Sequence, residues 1–78
     1  MAFDYSKLSG KIREVFGTQR KFATAIEVGY VALSQKLNNK SEFSQREISK
    51  SCDALGILQS EIPTYFFTPK VQKDELAS

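Results

Sequence analysis

Side chains able to carry covalent chemistry are scarce in this sequence. It contains no His and a single Cys, and it lacks the glycine-rich phosphate loops and the HExxH or CxxC spacings of common catalytic and metal sites. Its acidic residues are spread along the chain, as on a solvated surface, and form no carboxylate pair or metal cluster. The pattern predicts no catalytic residue, no metal ion and no cofactor, so an enzyme is the weakest function class. Cys52 lies on a helical apolar stripe and is expected to be a small buried residue rather than a reactive thiol.

Basic residues are concentrated in the first half of the chain. Residues 1–40 hold seven Lys and Arg against three acids, residues 41–62 hold two against four, and the net charge is only +2. A basic face suits the phosphates of nucleic acid, but charge alone is equally compatible with a solvated surface. Nucleic-acid binding is therefore a hypothesis that charge alone does not support over a solvated surface, so it depends on the sequence motifs.

Length and composition predict one small soluble domain. The chain has 78 residues, of which 41% are apolar and 26% charged, as in ordinary globular proteins. No run approaches the roughly 20 consecutive apolar residues of a membrane-spanning helix, and the acid Asp4 stands where a signal peptide would be basic. We expect a cytoplasmic protein without membrane contact.

Apolar spacing and capping residues predict three helices in the first half. Apolar residues three and four apart run from about 5 to 16, with Asp4 as the cap and Gly17 as the stop. Thr18 is a good cap for a second helix, and a third spans residues 30–37 before an Asn-Asn turn.

Two more helices are predicted in the second half. Ser44 and Glu47 have the spacing of a capping box, and Gly56 ends the helix that they begin. Ser60 is predicted to cap a short last helix.

The predicted fold class is therefore all-α, a compact bundle of about five short helices. It forms one domain over residues 1–71, and residues 72–78 are expected to be a flexible tail.

The predicted second and third helices, about 18–38, resemble a known motif. The residues that carry the resemblance are Thr18-Gln19-Arg20-Lys21-Phe22-Ala23, Ile26-Glu27-Val28 and Leu33-Ser34-Gln35-Lys36-Leu37-Asn38-Asn39-Lys40. They resemble the helix-turn-helix of the lambda-repressor and Cro-like family. The likeness continues through Leu55-Gly56 and Ile62-Pro63-Thr64-Tyr65-Phe66-Phe67, which look like the small Cro-like regulators of bacteriophages and prophages.

This resemblance implies a DNA-binding surface. Apolar residues would fill the angle between the two helices: Phe22, Ala23, Ile26, Val28, Leu33 and Leu37. Four residues of the third helix would read bases: Tyr30, Val31, Ser34 and Gln35. Six residues would contact the DNA backbone: Gln19, Arg20, Lys21, Lys36, Asn38 and Lys40. Gln35 is the sharpest of these predictions, because Gln can form two hydrogen bonds with adenine.

Three positions depart from the family pattern. Glu27 stands where the family usually has Gly, so it is predicted to hold a left-handed backbone. Tyr30 and Val31 stand where the family usually has polar residues. They either pack on thymine methyl groups or are buried in a repositioned turn.

The main functional prediction is a phage-type transcriptional regulator that binds double-stranded operator DNA as a homodimer in a bacterial host. The alternative is an antirepressor that keeps the helix-turn-helix scaffold but binds a protein, such as a phage repressor.

The end of the fold is the predicted dimer interface. It consists of Tyr65, Phe66, Phe67 and Val71, because a helix can turn only part of an aromatic run toward its own core. The alternative, in which all three rings close the core of the monomer, has equal weight.

Overall fold

The computed structural model describes residues 2–70, in which the chain forms five α-helices. Their bounds are Ser6–Phe16 (α1), Gln19–Ala25 (α2), Tyr30–Leu37 (α3), Gln45–Leu55 (α4) and Ile62–Phe66 (α5). A short 3₁₀ turn, Gln59–Glu61, precedes α5, and β structure in this part of the chain is limited to an isolated bridge between Phe3 and Pro69. The all-α class predicted from the sequence is confirmed.

Local signals set several of the helix ends. The Thr18 hydroxyl accepts a hydrogen bond from the Lys21 N–H at 3.2 Å and so caps α2. Ser44 and Glu47 form the predicted capping box at the start of α4. Gly17 follows α1 with a φ of 85°, a backbone conformation that side chains with a Cβ disfavour.

Two predicted caps need correction. Tyr5 occupies the N-cap of α1, and the Asp4 carboxylate contributes one hydrogen bond, accepted from the Ser6 N–H at 2.9 Å. Ser60 caps nothing. Instead, the Glu61 carboxylate accepts a hydrogen bond from the Leu58 N–H at 3.0 Å and closes the 3₁₀ turn that leads into α5.

The core joins the helix-turn-helix to the outer helices. Its buried members are Tyr5, Leu8, Ile12, Phe22, Ala23, Ile26, Leu33, Leu55, Ile57 and Phe66. Of the six residues predicted to fill the angle between α2 and α3, four are buried, and Val28 and Leu37 pack at the edge. Cys52 is half-buried, and burial is the main reason why the pKa of its thiol is raised.

The two ends of the described chain are tied together beside α3. The Asp4 N–H donates to the Thr68 carbonyl at 2.7 Å, and the Lys70 N–H donates to the Ala2 carbonyl at 3.1 Å. The Asn39 side chain, just after α3, binds both backbone groups of Phe3 at 2.9 Å. The segment that follows α3 is thus fixed to the N-terminus.

Candidate recognition surface on the helix-turn-helix

Residues 26–29 form the turn between α2 and α3. Glu27 has a φ of 61°, which confirms the predicted left-handed backbone. Its exposed carboxylate accepts a hydrogen bond from the Lys50 ammonium of α4, and this bond and the positive charge lower the pKa of Glu27. Gly29 then caps α3 in an extended conformation, without a side chain to hold the helix end. The turn is therefore bound to α4 through Glu27 and Lys50, whereas at Gly29 no side chain caps the helix end.

The first turn of α3 presents apolar groups to solvent. Val31 is 68% exposed, the most exposed of the large hydrophobic residues in residues 2–70, and Tyr30 is also exposed. The Arg20 guanidinium lies over the Tyr30 ring, 4.4 Å from its centroid. Of the two alternatives for these residues, burial in a repositioned turn is therefore wrong, because both are exposed, and packing on thymine methyl groups stays a prediction.

A cleft opens beside this apolar turn. It has a volume of about 450 Å³ between the end of α1 and the starts of α2 and α3. Its lining residues are Ser9, Ile12, Arg13, Gly17, Thr18, Gln19, Arg20 and Tyr30. Sequence reasoning grouped Gln19, Arg20 and Tyr30 but missed Arg13. One signal for it was available. Arg13 is a basic residue in the last turn of α1, where the helix dipole favours a positive charge.

Three other predicted DNA contacts lie apart from this cleft. Lys21 is exposed on α2 and Gln35 is exposed on α3, so both reach solvent as predicted, although neither lines the cleft. Lys40, after α3, is also exposed. Whether any of these side chains contacts DNA stays a prediction.

The Lys36 side chain forms contacts within the protein. Its ammonium donates to the Glu42 carbonyl at 3.0 Å and lies 3.2 Å from the Glu47 carboxylate, and the side chain is only 12% exposed. This geometry argues against the predicted contact of Lys36 with the DNA backbone, since the ion pair would have to break first.

Asn38 and Ser34 are hydrogen-bonded to each other, although Asn38 is exposed and Ser34 is half-buried. The Asn38 amide donates to the Ser34 carbonyl at 2.8 Å and approaches the Ser34 hydroxyl at 3.5 Å. Whether either residue contacts DNA stays a prediction.

The three aromatic residues of the predicted dimer interface have different surroundings. Phe66 is 1% exposed and belongs to the monomer core, which corrects its assignment to an interface. Tyr65 is half-buried, and Phe67 is 47% exposed beside Phe3, with ring centroids 5.7 Å apart. Val71 lies outside the described residues. A dimer through Phe67 stays a prediction.

Fold and surface together define a small all-α protein with a helix-turn-helix. Its open face, formed by the exposed residues Arg13, Arg20, Lys21, Tyr30 and Val31, is both basic and apolar. Within residues 2–70, no helix is long and apolar enough to traverse a lipid bilayer.

The chain belongs to the family described as "Protein of unknown function (DUF739)", whose model matches residues 1–69. Among solved structures, it is similar to the modulator of repression of the temperate bacteriophage TP901-1 from Lactococcus lactis. The two are 43% identical with a TM-score of 0.76, and the match covers 92% of this chain and 97% of the other. The comparison with curated proteins gives no match. The likeness is thus to a phage regulator, and the Cro-like branch in particular is not what the comparisons identify.

Proposed function

We propose that this protein is a phage regulator that modulates repression by binding a repressor protein through the open face of its helix-turn-helix. In this proposal it works in the cytoplasm of a bacterial host as a binding protein and not as a catalyst. The similarity to a phage modulator of repression supports the regulatory role. The exposed apolar first turn of α3 carries the choice of a protein as the partner.

The chemistry of that turn suits a protein surface better than a base edge. Val31 has no hydrogen-bond donor or acceptor in its side chain, so its contribution to base reading is limited to thymine methyl groups. Exposed aliphatic area beside Tyr and Arg is instead typical of protein–protein interfaces. The pairing of Lys36 with Glu47 also removes one of the cations that a DNA-binding surface would use.

The test is complex formation with the repressor encoded in the same phage genome. We expect the purified chain to form a complex that calorimetry and size-exclusion chromatography detect. Val31→Asp should weaken it at least about tenfold, because a charge would be placed in an apolar contact. Val15→Asp is the matched control, since Val15 is also exposed, at 46%, but lies on α1. Absence of a complex, or equal effects of the two substitutions, would contradict the proposal.

Binding to operator DNA is the second candidate. It is favoured by the exposure of Arg20, Lys21, Gln35 and Lys40 on or beside the two helices. Gel shifts with operator-like duplex in increasing salt test it, and a protein that does not bind at low salt excludes it. Gln35→Ala should then relax base preference at one position per half-site, and Lys40→Gln should flatten the salt slope by about one unit.

A homodimer belongs to this second candidate, because a single short recognition helix buries little surface. Among the described residues of the predicted dimer interface, Phe67 is the most exposed. Sedimentation of the wild type and of Phe67→Ser at high concentration gives the answer. A wild-type protein that sediments as a monomer would remove the dimer from the proposal.

A further inference from the structure

Two arginines in the cleft have no acidic partner within residues 2–70. The side chains that line the cleft include Arg13 and Arg20 but no Asp or Glu. The ion pairs formed within residues 2–70 use Lys11, Lys36 and Lys50 and leave both arginines unpaired. Neither guanidinium donates a hydrogen bond to another described residue. The cleft therefore concentrates positive charge together with free donors.

Arg20 contacts an aromatic ring. Its guanidinium carbon lies over the Tyr30 ring, 4.4 Å from the centroid, a contact that restrains the planar group while leaving its N–H groups free to donate. A carboxylate can accept two parallel N–H bonds from such an edge. Since the ring already restrains the guanidinium before binding, less side-chain entropy is lost when a ligand arrives.

We propose that this cleft binds an Asp or Glu side chain presented by a helix of a protein partner, while Val31 packs on an aliphatic residue one turn away on that helix. The proposal rests on the proposed protein-binding function and specifies the chemistry of the partner. The apolar Val31 beside the cleft favours a protein carboxylate over a DNA phosphate.

The test uses a synthetic peptide, so it does not depend on identifying the repressor. The probe is a stably helical peptide with a Glu and a Leu one turn apart, and the matched control peptide carries Gln in place of that Glu. Both are titrated into the ¹⁵N-labelled full-length chain while the arginine Nε–H signals are followed by NMR. We expect the Arg13 and Arg20 signals to shift with the Glu peptide. The dissociation constant from the same titration should be at least about tenfold higher for the Gln peptide, since the charge-assisted bonds are lost.

Variants place the effect in the cleft. Arg20→Gln should weaken binding of the Glu peptide about tenfold, and Arg20→Lys, which keeps the charge but loses the planar edge, should weaken it less. Arg46→Gln removes an exposed arginine on α4 outside the cleft and should leave binding unchanged. Amide spectra establish that each variant is folded.

Three results would overturn the proposal. They are equal binding of the Glu and Gln peptides, equal effects of Arg20→Gln and Arg46→Gln, and shifts of both arginine signals with a DNA duplex but not with the Glu peptide. The last result would assign the cleft to phosphate. A missing complex with the repressor, in contrast, bears on the proposed function alone, because the peptide titration reads the cleft directly.

Discussion

The two ends of the helix-turn-helix differ in how their polar side chains are used. At the front end, around Arg20 and Tyr30, donors and apolar groups face solvent without acidic partners in the described chain. At the back end, around Lys36 and Asn39, the side chains bind other parts of the protein. Both ends look alike in the sequence, which has Lys, Arg, Gln and Asn throughout.

The difference teaches that a polar residue at a motif position has a binding role only if the fold leaves it free. Lys36 matches the position of a DNA-backbone contact, yet its ammonium stabilises the junction with α4. Arg13 matches no motif position, yet it lines the cleft. If this division is right, substitutions at the back end lower stability, and substitutions at the front end change binding only.

The largest stability effect is expected at Asn39. This residue has a φ of 63°, and its amide binds the N–H and the carbonyl of Phe3 at 2.9 Å each. Asn39→Ala loses both hydrogen bonds and puts alanine, which adopts the left-handed backbone less readily than asparagine, at this position. We expect a loss of about 2–3 kcal/mol in the free energy of unfolding, measured by urea denaturation.

Asn39→Gly separates the two causes. Glycine accepts the left-handed backbone, so only the hydrogen bonds are lost and the destabilisation should be about half as large. Equal losses in the Ala and Gly variants would mean that the backbone conformation contributes nothing.

The next largest effect is expected at Lys36. Lys36→Gln removes the ammonium from a mostly buried pair and leaves the Glu47 carboxylate without its cation. We expect a loss of about 1–2 kcal/mol. Lys40→Gln is the control, because Lys40 is exposed and should change stability by less than about 0.5 kcal/mol. If thermal melts show the two variants to be alike, Lys36 has no structural role.

Acidification should weaken the same junction. Burial by itself raises the pKa of Glu47, but the hydrogen bond from the Ser44 N–H and the Lys36 ammonium outweigh it and hold the pKa below its ordinary value of 4.5. The unfolded chain thus binds a proton more readily, so the contribution of Glu47 is complete above pH 4.5 and is lost as the pH falls through the lower folded pKa.

Glu47→Gln should therefore flatten part of the fall in stability below about pH 4.5, which urea denaturation across an acid series measures. An acid series with the same slope in both proteins would show that Glu47 is not a source of the pH dependence.

The smallest stability effect is expected at the front end. Val31 is 68% exposed, so Val31→Ser should change the free energy of unfolding by less than about 0.5 kcal/mol while weakening the complex with the repressor. A loss comparable to that of Lys36→Gln would make Val31 a structural residue and end the contrast between the two ends.

The sequence by itself determined the features that neighbouring residues control. Gly17, Thr18 and the Ser44–Glu47 capping box set helix ends through bonds that span only a few residues, so their spacing was sufficient. The left-handed backbone of Glu27 followed from the family pattern in the same way. The apolar stripes also gave the all-α class, since a helix buries one face at a fixed period.

Only the tertiary structure decided which polar residues remain free. The bonds between Asn39 and Phe3 join positions 36 residues apart. The Lys36 ion pair needs α3 and α4 to pack in one particular way, and the cleft that holds Arg13 and Arg20 needs α1, α2 and α3 to do so. The sequence also left the fates of Phe66 and Phe67 open, one in the core and one on the surface. The physical reason is that such contacts depend on how helices dock, which no local spacing specifies.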